Sequence, residues 1–216
     1  SARQYHTAHG NANFGYFVGD SGNGVPGGGS VIDRIDYSND TAVAARVGNL
    51  SNSIGYFAGT GNASFGYSGG GSPKNSRVNR IDYSNDTATT TPVGYLTASK
   101  AYLTGAVSGQ ESGLATAVVP IVPATVTESW TVPVGNDFGY FTAGGAPSPY
   151  YSTVDRIDFN NDTAVAATKS PTLVATRGAA SVNSTTFGYS IAGGTEDAPS
   201  YKTSTISRLS FAGDTS

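Results

Sequence analysis

Apolar side chains in this chain come in short runs broken by clusters of glycine, asparagine, serine and aspartate, and no window sustains the three- and four-residue apolar spacing of a helix. The pattern predicts strands and tight turns throughout. Residues 53–93 read as four strands. Residues 53–59 form the first, Gly61-Asn62-Ala63-Ser64 make a hairpin turn, and residues 65–70 form the second. A polar loop over 71–76 leads to a third strand at 77–83, then Ser84-Asn85-Asp86-Thr87 turn the chain into a fourth at 88–93. Strand, turn, strand, loop, strand, turn, strand is one blade of a radial β-sheet array.

The unit recurs. Phe14-Gly15-Tyr16 returns as Phe65-Gly66-Tyr67, Phe138-Gly139-Tyr140 and Phe187-Gly188-Tyr189, and each copy runs on into glycine. A second block, Asp33-Arg34-Ile35-Asp36-Tyr37-Ser38-Asn39-Asp40-Thr41, recurs around Arg80 and Arg156 and more degenerately around Arg208. The arginines are 46, 76 and 52 residues apart, so all three intervals lie near ~50 once an insertion is removed from the middle one. Four units follow, at about 1–48, 49–94, 95–170 with an insertion at 108–134, and an incomplete 171–216. The expected fold is all-β, a propeller of four four-stranded repeats.

Side chains alternate across a strand, so Arg34 shares a face with Ile32 and Asp36, while Asp33, Ile35 and Tyr37 take the other. Both faces of a blade press on neighbouring blades, which makes Arg34, Arg80, Arg156 and Arg208 inter-blade residues, largely buried. A buried guanidinium requires a partner. Asp36, Asp82 and Asp158 are the expected oxygen partners, and Tyr37 or Phe159 the expected aromatic ones. One arginine per blade lining a central channel is the competing, ligand-binding reading.

Composition agrees. Of 216 residues, 29 are glycine, 13 tyrosine and 9 phenylalanine, and only 12% are charged. The net charge of −3 lacks the basic footprint that nucleic acid demands, and no run approaches a membrane span. There is no cysteine, hence no disulfide or thiolate metal site. There is no methionine either, which suggests that Ser1 is not an initiating residue.

These units resemble the kelch repeat. The likeness lies in Phe187-Gly188-Tyr189-Ser190-Ile191-Ala192-Gly193-Gly194, in Ser152-Thr153-Val154-Asp155-Arg156-Ile157-Asp158-Phe159, in the turn Asn161-Asp162-Thr163 and in the closing Ala2-Arg3. They depart from it where the tryptophan usual after the turn is replaced by Ala42, Ala88 and Ala164. The wording of the third strand and its turn is similar to repeats in tail-fibre and other virion-associated proteins of marine bacteriophages. The resemblance implies a non-enzymatic structural and interaction module of a virion or extracellular appendage. Its partners would be other copies of itself, other appendage proteins or a cell-surface glycan.

Candidate chemistry is sparse, and neither a metal nor a cofactor is expected. His6 and His9 stand three apart, a spacing that on a strand sends them to opposite faces, and they read as strand-end or surface residues. The Asn-Asp-Thr turns admit turn chemistry, N-glycosylation at Asn39, Asn85 and Asn161, or a calcium cluster of Asp36, Asn39 and Asp40. The glycine-rich stretch 22–29 lacks the lysine ending of a phosphate loop. Partner binding is expected from the insertion, which carries Val119, Ile121 and the only tryptophan, Trp130, or from Tyr150, Tyr151 and Tyr201 stacking on sugars. A glycan-active enzyme using two unrepeated carboxylates is the third reading. The last unit stops where its fourth strand should begin. Its open edge is expected to be covered by another copy, by adjoining sequence or by closure onto the first unit, with the insertion arm touching a neighbour.

Overall fold

The computed structural model describes residues 4–19, 28–103, 105–108, 137–145, 150–169, 171–172, 174–184, 186–195 and 202–213. Four antiparallel sheets follow one another along the chain. Blade 1 is β1 (Thr7–Gly10), β2 (Phe14–Val18), β3 (Val31–Asp36) and β4 (Ala45–Asn49). Blade 2 is β5 (Ala58–Gly61), β6 (Phe65–Gly69), β7 (Asn75–Asp82) and β8 (Thr91–Lys100). Blade 3 is β9 (Gly105–Ser108), β10 (Phe138–Gly144), β11 (Tyr151–Asp158) and β12 (Ala167–Lys169). Blade 4 has three strands among the described residues, β13 (Ala180–Asn183), β14 (Phe187–Gly193) and β15 (Thr203–Ser210). The helical content of the described residues is two short 3-10 turns. The fold is all-β, a four-bladed propeller-like array, and it is not closed into a barrel.

Strand order within each sheet is sequential, as hairpins dictate. Register repeats as faithfully as sequence. Tyr16 lies opposite Arg34, Tyr67 opposite Arg80, Tyr140 opposite Arg156 and Tyr189 opposite Arg208. The innermost strands are neighbours in turn, β1 against β5, β5 against β9 and β9 against β13.

Among the described residues the core is three separate clusters, one between each successive pair of blades. Tyr16, Val18, Ile32 and Leu50 of blade 1 meet Ile54, Phe57 and Ile81 of blade 2. Blades 2 and 3 join through residues including Tyr67, Val78, Leu96, Phe141 and Phe159, and blades 3 and 4 through Val107, Tyr140, Val154, Leu209 and Phe211. A single sheet of this size cannot bury its apolar face alone, so the stacking of units supplies the core. The glycine of each Phe-Gly-Tyr is where neighbouring blades come closest. A Cβ on Gly66 would overlap the His9 ring of blade 1, and one on Gly139 would lie 2.8 Å from Thr60 of blade 2. The same slot on Gly188 is filled by Val107 of blade 3, at 2.7 Å from the position of an added Cβ.

Boundaries shift from those expected. The first strand of blade 2 begins at Ala58 rather than Ser53, because Tyr56 turns the backbone into the left-handed region (φ 56°) just before it. The fourth strand runs on to Lys100, past the expected unit boundary at 94, and Lys100 lies opposite Asn75. Its ammonium is buried at 2.8 Å from Asp155 Oδ2 and 2.7 Å from Thr153 Oγ1 of blade 3. Burial pulls this lysine's pKa down while the aspartate opposes it. Residues 109–136 lie outside the described residues, and with them all of the 108–134 insertion except Ser108, including Val119, Ile121 and Trp130.

Candidate functional site: a tyrosine collar on the propeller axis

The repeated arginine reaches forward into the next blade. Arg34 Nη1 lies 2.7 Å from Asp86 Oδ2, and Tyr16 Oη donates to the same oxygen at 2.8 Å. One blade on, Arg80 lies 2.6 Å from Asp162 Oδ2, with Tyr67 Oη at 3.0 Å. The acceptor is therefore the aspartate of the following unit's Asn-Asp-Thr turn. Burial first, and then Asp86 beside it, push the Tyr16 hydroxyl far above its ordinary pKa, and the same holds for Tyr67 beside Asp162. Both hydroxyls stay protonated and donate.

Three expectations about this arginine need correction. Asp36, Asp82 and Asp158 are not its partners, because each accepts from the backbone N–H two residues on, at Ser38, Ser84 and Asn160, and so is used up by its own turn. The aromatic beneath the guanidinium is neither Tyr37 nor Phe159. It is the phenylalanine of the same blade's Phe-Gly-Tyr, with Arg34, Arg80, Arg156 and Arg208 at 4.5, 4.7, 3.9 and 4.6 Å from the rings of Phe14, Phe65, Phe138 and Phe187. Nor are the arginines largely buried. Arg34 and Arg80 keep 31% and 33% of their side chains exposed, and Arg208 is exposed, whereas Asp86 and Asp162 are the buried members. A flat guanidinium lying over a ring leaves its other face open to water. None of the four lines the axis.

Tyr37, Tyr83, Phe159 and Phe211 stand three residues after each arginine, and three of them stack on the tyrosine of the preceding blade. Tyr16 and Tyr83 rings lie 4.9 Å apart, Tyr67 and Phe159 5.0 Å, and Tyr140 and Phe211 5.3 Å, with planes tilted by 14–16°. His6 packs on Phe17 and His9 on Tyr16, consecutive residues of β2, so the two histidines do take opposite faces. His9 is no surface residue. It is wedged between blades 1 and 2, its Nδ1 3.0 Å from Tyr83 Oη and its Nε2 buried. The turns carry turn chemistry, with Asn39 and Asn161 accepting from Thr41 and Thr163 within the same turn. No group of three or more acidic, histidine or cysteine side chains gathers among the described residues.

On the axis, a recess of about 400 Å³ opens between the inner strands of all four blades. Its lining includes Tyr5, Tyr56 and Tyr102, one at the head of each of the first three inner strands. All three adopt left-handed backbone, with φ 58°, 56° and 51°. The same place in blade 4 is Gly178, at φ 64°. An L-residue there costs roughly 1–2 kcal/mol. Three tyrosines accept that strain because it aims their rings at one another. Tyr5 and Tyr56 stack with centroids 3.8 Å apart, Tyr56 and Tyr102 meet at 4.1 Å with their planes tilted by 40°, and Tyr56 N–H donates to Tyr5 C=O at 2.9 Å. Arg177, preceding Gly178, caps the ladder at 5.9 Å from the Tyr102 ring and 5.2 Å from that of Tyr150.

The sequence reading missed this collar. Its signal was present, for Tyr5, Tyr56 and Gly178 each stand nine residues before the phenylalanine of a Phe-Gly-Tyr, and only the insertion hides the same offset for Tyr102. Of the expected sugar-stacking residues, Tyr150 adjoins the collar through Arg177, Tyr151 lies off the axis near Lys74 and Lys100, and Tyr201 lies outside the described residues. The recess is lined by no carboxylate, lysine or arginine among the described residues. It offers close-set phenols, one imidazole (His6), Phe57, Leu103 and small side chains, a surface suited to holding a flat or partly apolar ring.

No protein-family model matches the chain, and no curated protein matches it. Among solved structures, 134 chains match. One of them, the structure of YjhT, aligns with a TM-score of 0.67 over 98% of this chain at 13% identity. The chain spans 64% of that protein, under two thirds of its length. At this identity the likeness shows the fold alone, a multi-sheet β architecture of the propeller kind.

Proposed function

We propose that the protein is a non-enzymatic, kelch-like recognition module of a virion or other extracellular appendage, attaching to its target through the tyrosine collar. The observation that carries this reading is the chemistry of the axial recess, aromatic and free of carboxylates among its described lining residues. Hydrolysis of a glycoside needs two acids flanking the bond. Here the repeated carboxylates are committed elsewhere, Asp36 and Asp82 to turns, Asp86 and Asp162 to the inter-blade latch and Asp155 to Lys100. The kelch-like and virion assignments rest on the wording of the repeats, Phe-Gly-Tyr and Arg-Ile-Asp-Tyr-Ser-Asn-Asp-Thr.

The lectin-like reading draws on the same collar, since stacked phenols suit the apolar face of a sugar ring. A glycan array probed with the full chain and with Tyr56→Gly tests it. Glycine already occupies this place in blade 4 at φ 64°, so the variant relieves backbone strain while deleting the middle ring of the ladder. The expected result is a folded variant of about unchanged melting temperature that loses the glycans the parent retains. A parent that binds nothing on the array, or a variant that binds as well as the parent, removes the collar from glycan recognition.

A further inference from the structure

A second cavity lies off the axis, on blade 2, which has a neighbouring blade packed on each of its faces. The outer strand of this blade, β8, is ten residues long against five for β4 of blade 1. Its far half, with Tyr95 and Ser99, walls a groove of about 430 Å³ together with the residues leading into β7 and the segment that joins the first two blades. That is the size of a small-ligand site. Its chemistry is the reverse of the axial recess, because Lys74 and Arg77 line it and no carboxylate does so among the described residues.

The residues that give the groove its character are departures from the repeat. Arg77 stands three residues before Arg80, where the other units carry Val31, Thr153 and Thr205, and blade 1 buries its valine in that place. No blade needs an arginine there to fold. Among the described residues neither Arg77 nor Lys74 pairs with a carboxylate, since the Lys74 ammonium lies 5.5 Å from the Tyr151 ring and Asp155 is held by Lys100. A half-buried guanidinium without an acid is costly to keep. Tyr95 follows Val93-Gly94 as Asn49 follows Val47-Gly48, and both backbone carbonyls accept from the next blade at 2.8 Å, from Ala166 N–H and Thr90 N–H. The main chain thus does the scaffold's work and leaves the phenol over, 52% exposed. Asn75 braces the two cations, accepting from Arg77 N–H at 3.1 Å and donating to Pro73 C=O at 2.8 Å. The loop is set before any ligand arrives.

We infer that this groove binds a sugar residue bearing an oxyanion, either a carboxylate or a sulfate ester. The planar fork of Arg77 takes two oxygens of the anion and Lys74 adds a second charge. Tyr95 offers its ring to the apolar face of the sugar, with Asn52 and Ser99 beside it for the hydroxyls. The groove shares no described lining residue with the axial recess, so it is a second site and does not rest on the collar.

The test is calorimetric titration of the full chain with four probes: an oligogalacturonate, its methyl ester, a sulfated galactose oligosaccharide and sodium sulfate. At least one acidic oligosaccharide is expected to bind, and the tighter of the two names the anion. The methyl ester keeps the sugar and loses the charge, and it should bind on the order of tenfold more weakly or not at all. Arg77→Gln should weaken the acidic probe by a similar factor, and Lys74→Gln and Tyr95→Ser severalfold each. Lys74 and Tyr95 are exposed, so those two variants should melt with the parent and keep the test open even if Arg77→Gln fails to fold. Neutral glycans scored against Tyr56→Gly report on the collar alone, which keeps failure of one site distinct from failure of the other. The groove is overturned as a site if neither acidic oligosaccharide binds, if the ester binds as well as the acid, or if the variants bind as the parent does. Free sulfate that matches the oligosaccharides would overturn the sugar.

Discussion

His9 sits where two blades meet, and burial lowers its pKa from 6.5 to about 4. Between those values the unfolded chain holds a proton that the folded one rejects. Stability contributed by the neutral ring is therefore complete above about pH 6.5 and drains away as pH falls towards 4, by at most about 3 kcal/mol. Blade 2 fills the equivalent place with Thr60, which lies opposite Tyr67 as His9 lies opposite Tyr16. His9→Thr is thus the natural control. Urea unfolding at pH 7 and pH 4.5 should show a steep loss for the parent and a shallower one for the variant, and equal losses would acquit His9. The sequence predicted that the two histidines take opposite faces, because strand parity decides that much. It did not predict burial, which depends on a glycine in another blade, Gly66, leaving room for the ring.

Between elements, the latch is asymmetric in burial and so in its response to mutation. Asp86→Ala leaves the buried Tyr16 hydroxyl and Arg34 without their shared acceptor, a loss of about 2–3 kcal/mol. Arg34→Ala leaves Asp86 its tyrosine donor, and because a third of the arginine is already exposed, water takes up part of its role. About 1 kcal/mol is expected there. Denaturant titration of the two variants checks the order, and a larger loss for the arginine would mean that its stacking on Phe14 matters more than its charge. The arginine's strand was legible from period-two alternation, and for Arg34 and Arg80 the structure adds a partner in the next blade. That partner was not legible, because alternation tells which way a side chain points and nothing about which turn of the next blade lies there. The first strand of blade 2 was misplaced for a related reason. Gly55-Tyr56-Phe57 reads as ordinary strand, and only the positive φ at Tyr56 reveals the corner.

At the scale of the molecule, the number of units and the all-β class were legible because the repeat is nearly verbatim. The collar was not, since its members are scattered singly, one to a blade, and become a site only when the inner strands converge on the axis. The same architecture fixes how stability is shared. Among the described residues every core cluster joins one blade to the next and none spans three, as in linear repeat arrays whose stability is a sum of units and nearest-neighbour terms. A lesion in one junction therefore acts as a fault line rather than a uniform weakening. Asp162→Ala falls between the second and third blades and should split the calorimetric transition into two of similar size. Asp86→Ala falls one blade earlier and should release a small domain from a large one. A single unchanged transition in both would mean that cooperativity runs through something other than the junctions. Where the fault lies along the chain would then decide how much of the molecule survives it.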